Sequence, residues 1–138
     1  MITIKLSGRE IPLVFTVLEM KEMQEQIAPI GELHYALFAI NKDDRKDQSQ
    51  YGTPEHLNTI AKAIRILGNA GLEETGQEPD LTERKIMRAL RPSKLTDKLK
   101  AIMNAITEDM EREIPEEESK EPVDVTLEEI NRKKKKGS

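Results

Sequence analysis

Cysteine is missing from the chain altogether, and so is tryptophan. The first absence removes disulfides, thiolate metal sites and cysteine nucleophiles together, and it fits a reducing compartment. Aromatic residues make up only 3% of the chain, so stacking platforms for nucleic-acid bases are scarce. No apolar run approaches the ~20 residues that span a bilayer. Met1-Ile2-Thr3-Ile4-Lys5 does not have the make-up of a signal peptide. A soluble, cytoplasmic chain with no membrane partner is the expectation. The histidines are His34 and His56, and neither is spaced with a second ligand as metal sites require. Gly68-Asn69-Ala70-Gly71 lacks the lysine and hydroxyl residue of a phosphate-binding loop. Asp43-Asp44 and Glu73-Glu74 sit in polar contexts, where nothing drives the pKa values of a carboxylate pair apart. The sequence therefore predicts no catalytic residue, no metal and no cofactor, and a protein that is not an enzyme.

What the chain has is charge. Charged residues form 35% of it, yet the net value is only −4, because the two signs occupy different stretches. Arg84, Lys85, Arg88, Arg91, Lys94, Lys98 and Lys100 crowd one region, with Glu83 and Asp97 among them. Glu108 to Glu121 is acidic, and Arg132-Lys133-Lys134-Lys135-Lys136-Gly137-Ser138 is basic. A chain of 138 residues is one domain plus appendages and can bury a core without staples.

The hydrophobic periodicities divide the chain. Ile2, Ile4 and Leu6 alternate with polar neighbours as in a half-buried strand. Ser7-Gly8-Arg9-Glu10 reads as a turn and Ile11 to Phe15 as the returning strand, with Pro12 confining it to an edge. Thr16 and Glu19 have the spacing of a capping box, opening a helix through Val17, Leu18, Met20, Met23 and Ile27. Leu33 to Ile40 is a short apolar helix, and Asn41 to Gln50 a mobile polar loop. Thr53-Pro54 starts a helix that carries Leu57, Ile60, Ala61, Ile64 and Leu67 and stops near Gly76. Thr82 caps a short helix that ends at Arg91-Pro92, with Leu81 and Ile86 as a hydrophobic staple. Ser93 precedes a long helix with the stripe Leu95, Leu99, Ile102, Met103, Ile106 and Met110. Beyond Ile114-Pro115 the pattern lapses, apart from an island at Val123, Val125, Leu127 and Ile130. The predicted fold is mainly α, with a small N-terminal β-hairpin packed on a four- to five-helix domain (residues 1–114). A disordered tail, acidic and then lysine-rich, follows over residues 115–138.

Two surfaces stand out as candidates. Met20, Met23, Met103 and Met110 offer adaptable apolar surface, although methionine more often fills a core. Gly68, Ala70, Gly71 and Leu72 add small and apolar residues where another helix, or another copy of the chain, can approach closely. The second candidate is a basic face of Arg84, Arg88, Arg91, Lys94 and Lys98 on the helix pair 82–100, which can grip phosphate in a helix-turn-helix. A net acidic chain without nearby aromatics makes nucleic acid the weaker reading.

Ala70-Gly71-Leu72, a polar spacer and then Leu81-Thr82-Glu83 form a signature. With the N-terminal hairpin, its turn at Gly8 and Phe15-Thr16 opening a charged helix, it resembles tail assembly chaperones of long-tailed (siphovirus-type) bacteriophages. The resemblance covers residues 1–114 in layout. It implies a non-catalytic, homo-oligomeric chaperone in the host cytoplasm that binds and solubilises the tape measure protein and helps recruit tail tube subunits. It also implies a programmed ribosomal frameshift yielding a longer form, for which the adenine-rich codons of Lys133 to Lys136 are the candidate site. The alternative is a small DNA-binding phage regulator using the basic helix pair.

Overall fold

A computed structural model of the chain describes residues 1–118, and the surroundings of side chains as far as residue 110. It is mainly helical with an N-terminal antiparallel hairpin, as the periodicities predict. The chain divides into two units, Met1–Ile106 and Thr107–Ser138.

Strands β1 (Thr3–Leu6) and β2 (Arg9–Pro12) pair with Thr3 opposite Pro12, Ile4 opposite Ile11, Lys5 opposite Glu10 and Leu6 opposite Arg9. Only Ser7 and Gly8 connect them, with φ of 51° and 81°. Two successive positive φ values define the tight turn that matches the twist of paired strands. The expected turn at Ser7–Glu10 is thus shorter, and the returning strand is Arg9–Pro12 rather than Ile11–Phe15. Directly opposite residues share a face, so Ile4, Leu6, Ile11 and Arg9 lie on one side of the hairpin. The first three are buried, whereas Arg9, at the strand's end, is exposed.

Helix α1 (Val17–Gln26) opens as expected: Glu19 accepts the Thr16 N–H at 2.8 Å and the Thr16 hydroxyl. This keeps Glu19 satisfied although it is buried. Met23 packs inside, but Val17 and Leu18 are 78% and 55% exposed, so the apolar stripe of this helix is narrower than its sequence suggested. Helix α2 (Leu33–Phe38) buries Leu33 and Leu37. The following loop is held by local bonds rather than left free. Asn41 Nδ2 donates to Asp47 Oδ2 at 3.2 Å, and the Ser49 N–H to Asp47 Oδ1 at 2.9 Å. His56 closes the loop from below: Nδ1 accepts the Gly52 N–H at 2.9 Å, and Nε2 lies 2.7 Å from the Leu37 carbonyl.

Helix α3 (Pro54–Glu74) is the hub, with β2, α1, α2 and α4 all packed on it. Ile60, Ile64 and Leu67 are fully buried, each worth roughly 1.5–3 kcal/mol relative to exposure. Its end is satisfied by the Gly76 N–H on the Glu73 carbonyl and the Gln77 N–H on the Leu72 carbonyl, at 3.1 and 2.7 Å. Helix α4 (Glu83–Ala89) is capped by Thr82, whose hydroxyl accepts the Lys85 N–H at 3.1 Å, and Leu81 and Ile86 are both buried. It ends two residues before Arg91, because Leu90 turns extended at ψ 145°. A 3₁₀ turn (Pro92–Lys94) leads into α5 (Leu95–Glu118), which buries Leu99, Ile102 and Ile106.

Helix α5 continues through Glu108–Glu118, so the first part of the acidic stretch is helical, not unstructured. Glutamate, methionine and arginine are strong helix formers, and extension from an existing helix avoids the cost of nucleation. The apolar island Val123 to Ile130 and the lysine run Lys133 to Lys136 lie outside the described residues.

Candidate interaction surface

The residues predicted to present small, apolar surface are mostly interior. Met23 and Leu72 are 0% exposed, and Gly68, Ala70 and Gly71 are buried on α3. The element they admit is the hairpin, not a second helix. A Cβ on Gly71 would stand 1.8 Å from the Pro12 carbonyl oxygen; one on Gly68 would stand 2.7 Å from Leu81 Cδ1 and 3.1 Å from Ile11 Cγ2. The backbone bond from the Val14 N–H to the Leu67 carbonyl, at 3.1 Å, holds the chain at this closeness. Met20 and Met103 are half-buried, and Met110 alone of that set is exposed, at 39%. These residues therefore do not make one surface.

The basic set is also divided. Arg84 and Arg88 stand one turn apart on α4, but the extended Leu90 takes Arg91 off that helix, and its guanidinium donates to the Arg88 carbonyl at 3.3 Å. Lys94 lies in the 3₁₀ turn and Lys98 on α5. The expected single face of Arg84, Arg88 and Arg91 does not form, because residues ahead of a proline are steered away from helical angles. Arg91, which precedes Pro92, has φ −116° and ψ 133°.

What forms instead is a groove of about 470 Å³ between the hairpin tip and α4. Leu6, Ile11, Leu81 and Ala89 form its walls, and Ser7, Arg9, Arg84, Lys85 and Arg88 its polar lining. Leu81 is fixed by Asn69 of α3, which accepts its N–H at 3.0 Å and donates to its carbonyl at 3.1 Å. Arg9 reaches the groove because it shares the inward face of the hairpin, and it pairs with Asp80 at 3.1 Å. That bond is the main reason the Asp80 carboxyl titrates below its ordinary value, with desolvation opposing it. Lys85 Nζ donates to the Asp80 carbonyl at 3.1 Å. Glu83, the nearest acid in sequence to the α4 cations, faces Arg65 at 3.2 Å. Arg84 and Arg88 make no side-chain ion pair or hydrogen bond among the described residues. Arg9 and Asn69, the residues that shape the groove, carry no motif; only the strand register and the fold bring them there.

A larger cavity of about 550 Å³ lies beside the Asn41–Thr53 loop, lined by Tyr35, Asn41, Asp47, Gln50, His56 and Lys62 among others. Many of its polar atoms already bond one another: Asp47 holds Asn41 and Ser49, and the Gln50 carbonyl accepts the Thr53 hydroxyl at 2.8 Å. Size therefore favours this cavity, but free donors favour the groove, and recognition depends on the donors. Among the described residues no three histidine, cysteine or acidic side chains are grouped to hold a metal ion. Likewise, among the described residues no helix is long and apolar enough to cross a membrane.

Compared with protein-family models, with curated proteins and with solved structures, the chain matches none.

Proposed function

We propose that the protein is a non-catalytic binding protein, a phage tail assembly chaperone that holds the tape measure protein soluble in the host cytoplasm and helps recruit tail tube subunits. The observation that carries this reading is the groove beside α4. It is open, it presents Arg84 and Arg88, which are unpaired among the described residues, and no described histidine or carboxylate lines it to act as a general base. Such a surface suits docking of another chain rather than bond-breaking. The exposed Val17 and Leu18 add apolar contact area, and the layout of hairpin and helices accords with the resemblance seen in the sequence. Homo-oligomerisation and a longer, frameshifted form belong to the same reading.

Co-expression with the tape measure protein of the same phage tests it. The tape measure protein should move from pellet to supernatant and co-elute with this chain, which by light scattering should be a multimer. A tape measure protein that pellets equally with and without the chain overturns the reading. Retention of duplex DNA at physiological salt, weakening steeply as salt rises, would transfer it to the DNA-binding regulator built on helices 82–100.

A further inference from the structure

We infer that the groove between the hairpin tip and α4 is a receptor for an acidic peptide segment of the partner, with carboxylates spaced one helical turn apart to meet Arg84 and Arg88. The inference rests on the binding reading above and specifies the chemistry of what binds. Its first support is a local charge imbalance. Arg9, Arg84, Lys85 and Arg88 line the groove, and Asp80, the carboxylate beside them among the described residues, is engaged by Arg9. Buried or clustered cations without counter-charges repel one another, so a bound anion relieves the cluster as well as forming bonds. The second support is spacing. Arg84 and Arg88 are i and i+4 on one helix, about 6 Å apart along its axis. Acidic residues four apart on a partner helix present the same interval, and each guanidinium can take a carboxylate through two parallel N–H donors.

The walls decide between a peptide and a nucleic acid. Among the described residues no aromatic side chain lines the groove to stack a base. The cations do not continue as a track along a phosphate backbone, because Arg91 has left the helix. Leu6, Ile11 and Leu81 are 5%, 0% and 8% exposed, so their own side chains offer a partner little surface, and the guanidinium and ammonium groups are what distinguish one ligand from another. Binding should accordingly be salt-sensitive, with the attraction acting largely on the association rate.

The test uses fluorescence anisotropy with the full chain and a labelled helix-forming peptide of about 15 residues, long enough to populate a helix, with glutamates four apart. Its twin has glutamine at those positions. The glutamate peptide should bind and its twin should bind at least about tenfold more weakly. Arg84→Glu with Arg88→Glu should abolish binding of the glutamate peptide and confer binding of a lysine version, which a merely misfolded protein would not do. Lys21→Glu, on the exposed side of α1, should change nothing. Equal binding of the glutamate and glutamine peptides, binding of neither, or displacement by duplex DNA at lower concentration than by peptide overturns the inference. If the double variant still keeps the tape measure protein soluble, this groove is not the receptor and the chaperone reading survives. If the unaltered chain fails to solubilise it while still selecting the glutamate peptide, the chaperone reading fails and the receptor stands.

Discussion

Where β2 meets α3, backbone lies against backbone: the Pro12 carbonyl occupies the space a side chain at Gly71 would need, while Leu81 and Ile11 fill the space over Gly68. Where the tip of the same hairpin meets α4, the two elements stand apart and line their gap with guanidinium and ammonium groups. One hairpin thus makes a close joint at its Pro12 end and lines a charged groove at its tip. The close joint sets the hairpin's position, and in that position its tip and α4 line a groove between them. Substitutions at the joint should therefore be read in stability, and substitutions in the groove in binding.

The largest effect should come from Gly71→Ala. The new Cβ meets a backbone carbonyl, which cannot rotate away, so β2 must move; overpacking of this kind costs about 3 kcal/mol. Chemical denaturation measures it. Gly68→Ala sharpens the comparison, because its first obstacle is the end of the Leu81 side chain, and alanine is the better helix former. Its cost should stay within about 1 kcal/mol. Equal costs at the two positions would break the distinction between backbone and side-chain contact.

Next in size is His56→Ala, which leaves the Gly52 N–H and the Leu37 carbonyl without their ring partner. A loss of about 2 kcal/mol and faster amide exchange at Gly52 are expected. His34→Ala, at an exposed ring resting on Tyr35 and Phe38, should stay within about 0.5 kcal/mol. Truncation after Ile114 should cost less than about 1 kcal/mol by thermal melting, since every buried residue described lies at or before Ile106.

The smallest effect belongs to the groove's edge. The folded-state Asp80 carboxyl is depressed, so its contribution is present above the ordinary carboxylate value of ~3.9 and is lost as pH falls through the folded value. Arg9→Ala should return Asp80 toward that ordinary value in an NMR titration while barely changing stability, because both side chains are well exposed. No movement of the Asp80 titration would mean that Arg9 is not its partner in solution.

Much of the architecture was legible in the sequence because local chemistry specifies it. The capping box of Thr16 and Glu19, the hydroxyl caps at Thr53 and Thr82 and the stripe of α3 each need only neighbours a few residues away. The hairpin's existence could be read from the alternation of Ile2, Ile4 and Leu6, but its two-residue turn could not, because Ser7 at φ 51° is an uncommon choice there. The candidate surfaces fared differently. Methionines and small residues look alike whether they face a core or a partner, and only packing distinguishes Met23 at 0% exposure from Met110 at 39%. A string of arginines looks like one face until a proline-directed break places Arg91 apart from Arg84 and Arg88.

By itself, then, the sequence determined that the chain is mainly helical, where α1, α3 and α4 begin, and that charge is the chain's principal surface resource, since caps, periodicity and composition act over one or two turns. Only the tertiary structure decided which side of α3 the hairpin closes on and that Arg9 joins Arg84, Lys85 and Arg88 across a gap of more than seventy positions. The physical reason is that strand register and close backbone packing bring distant residues together, and neither leaves a local mark on the chain.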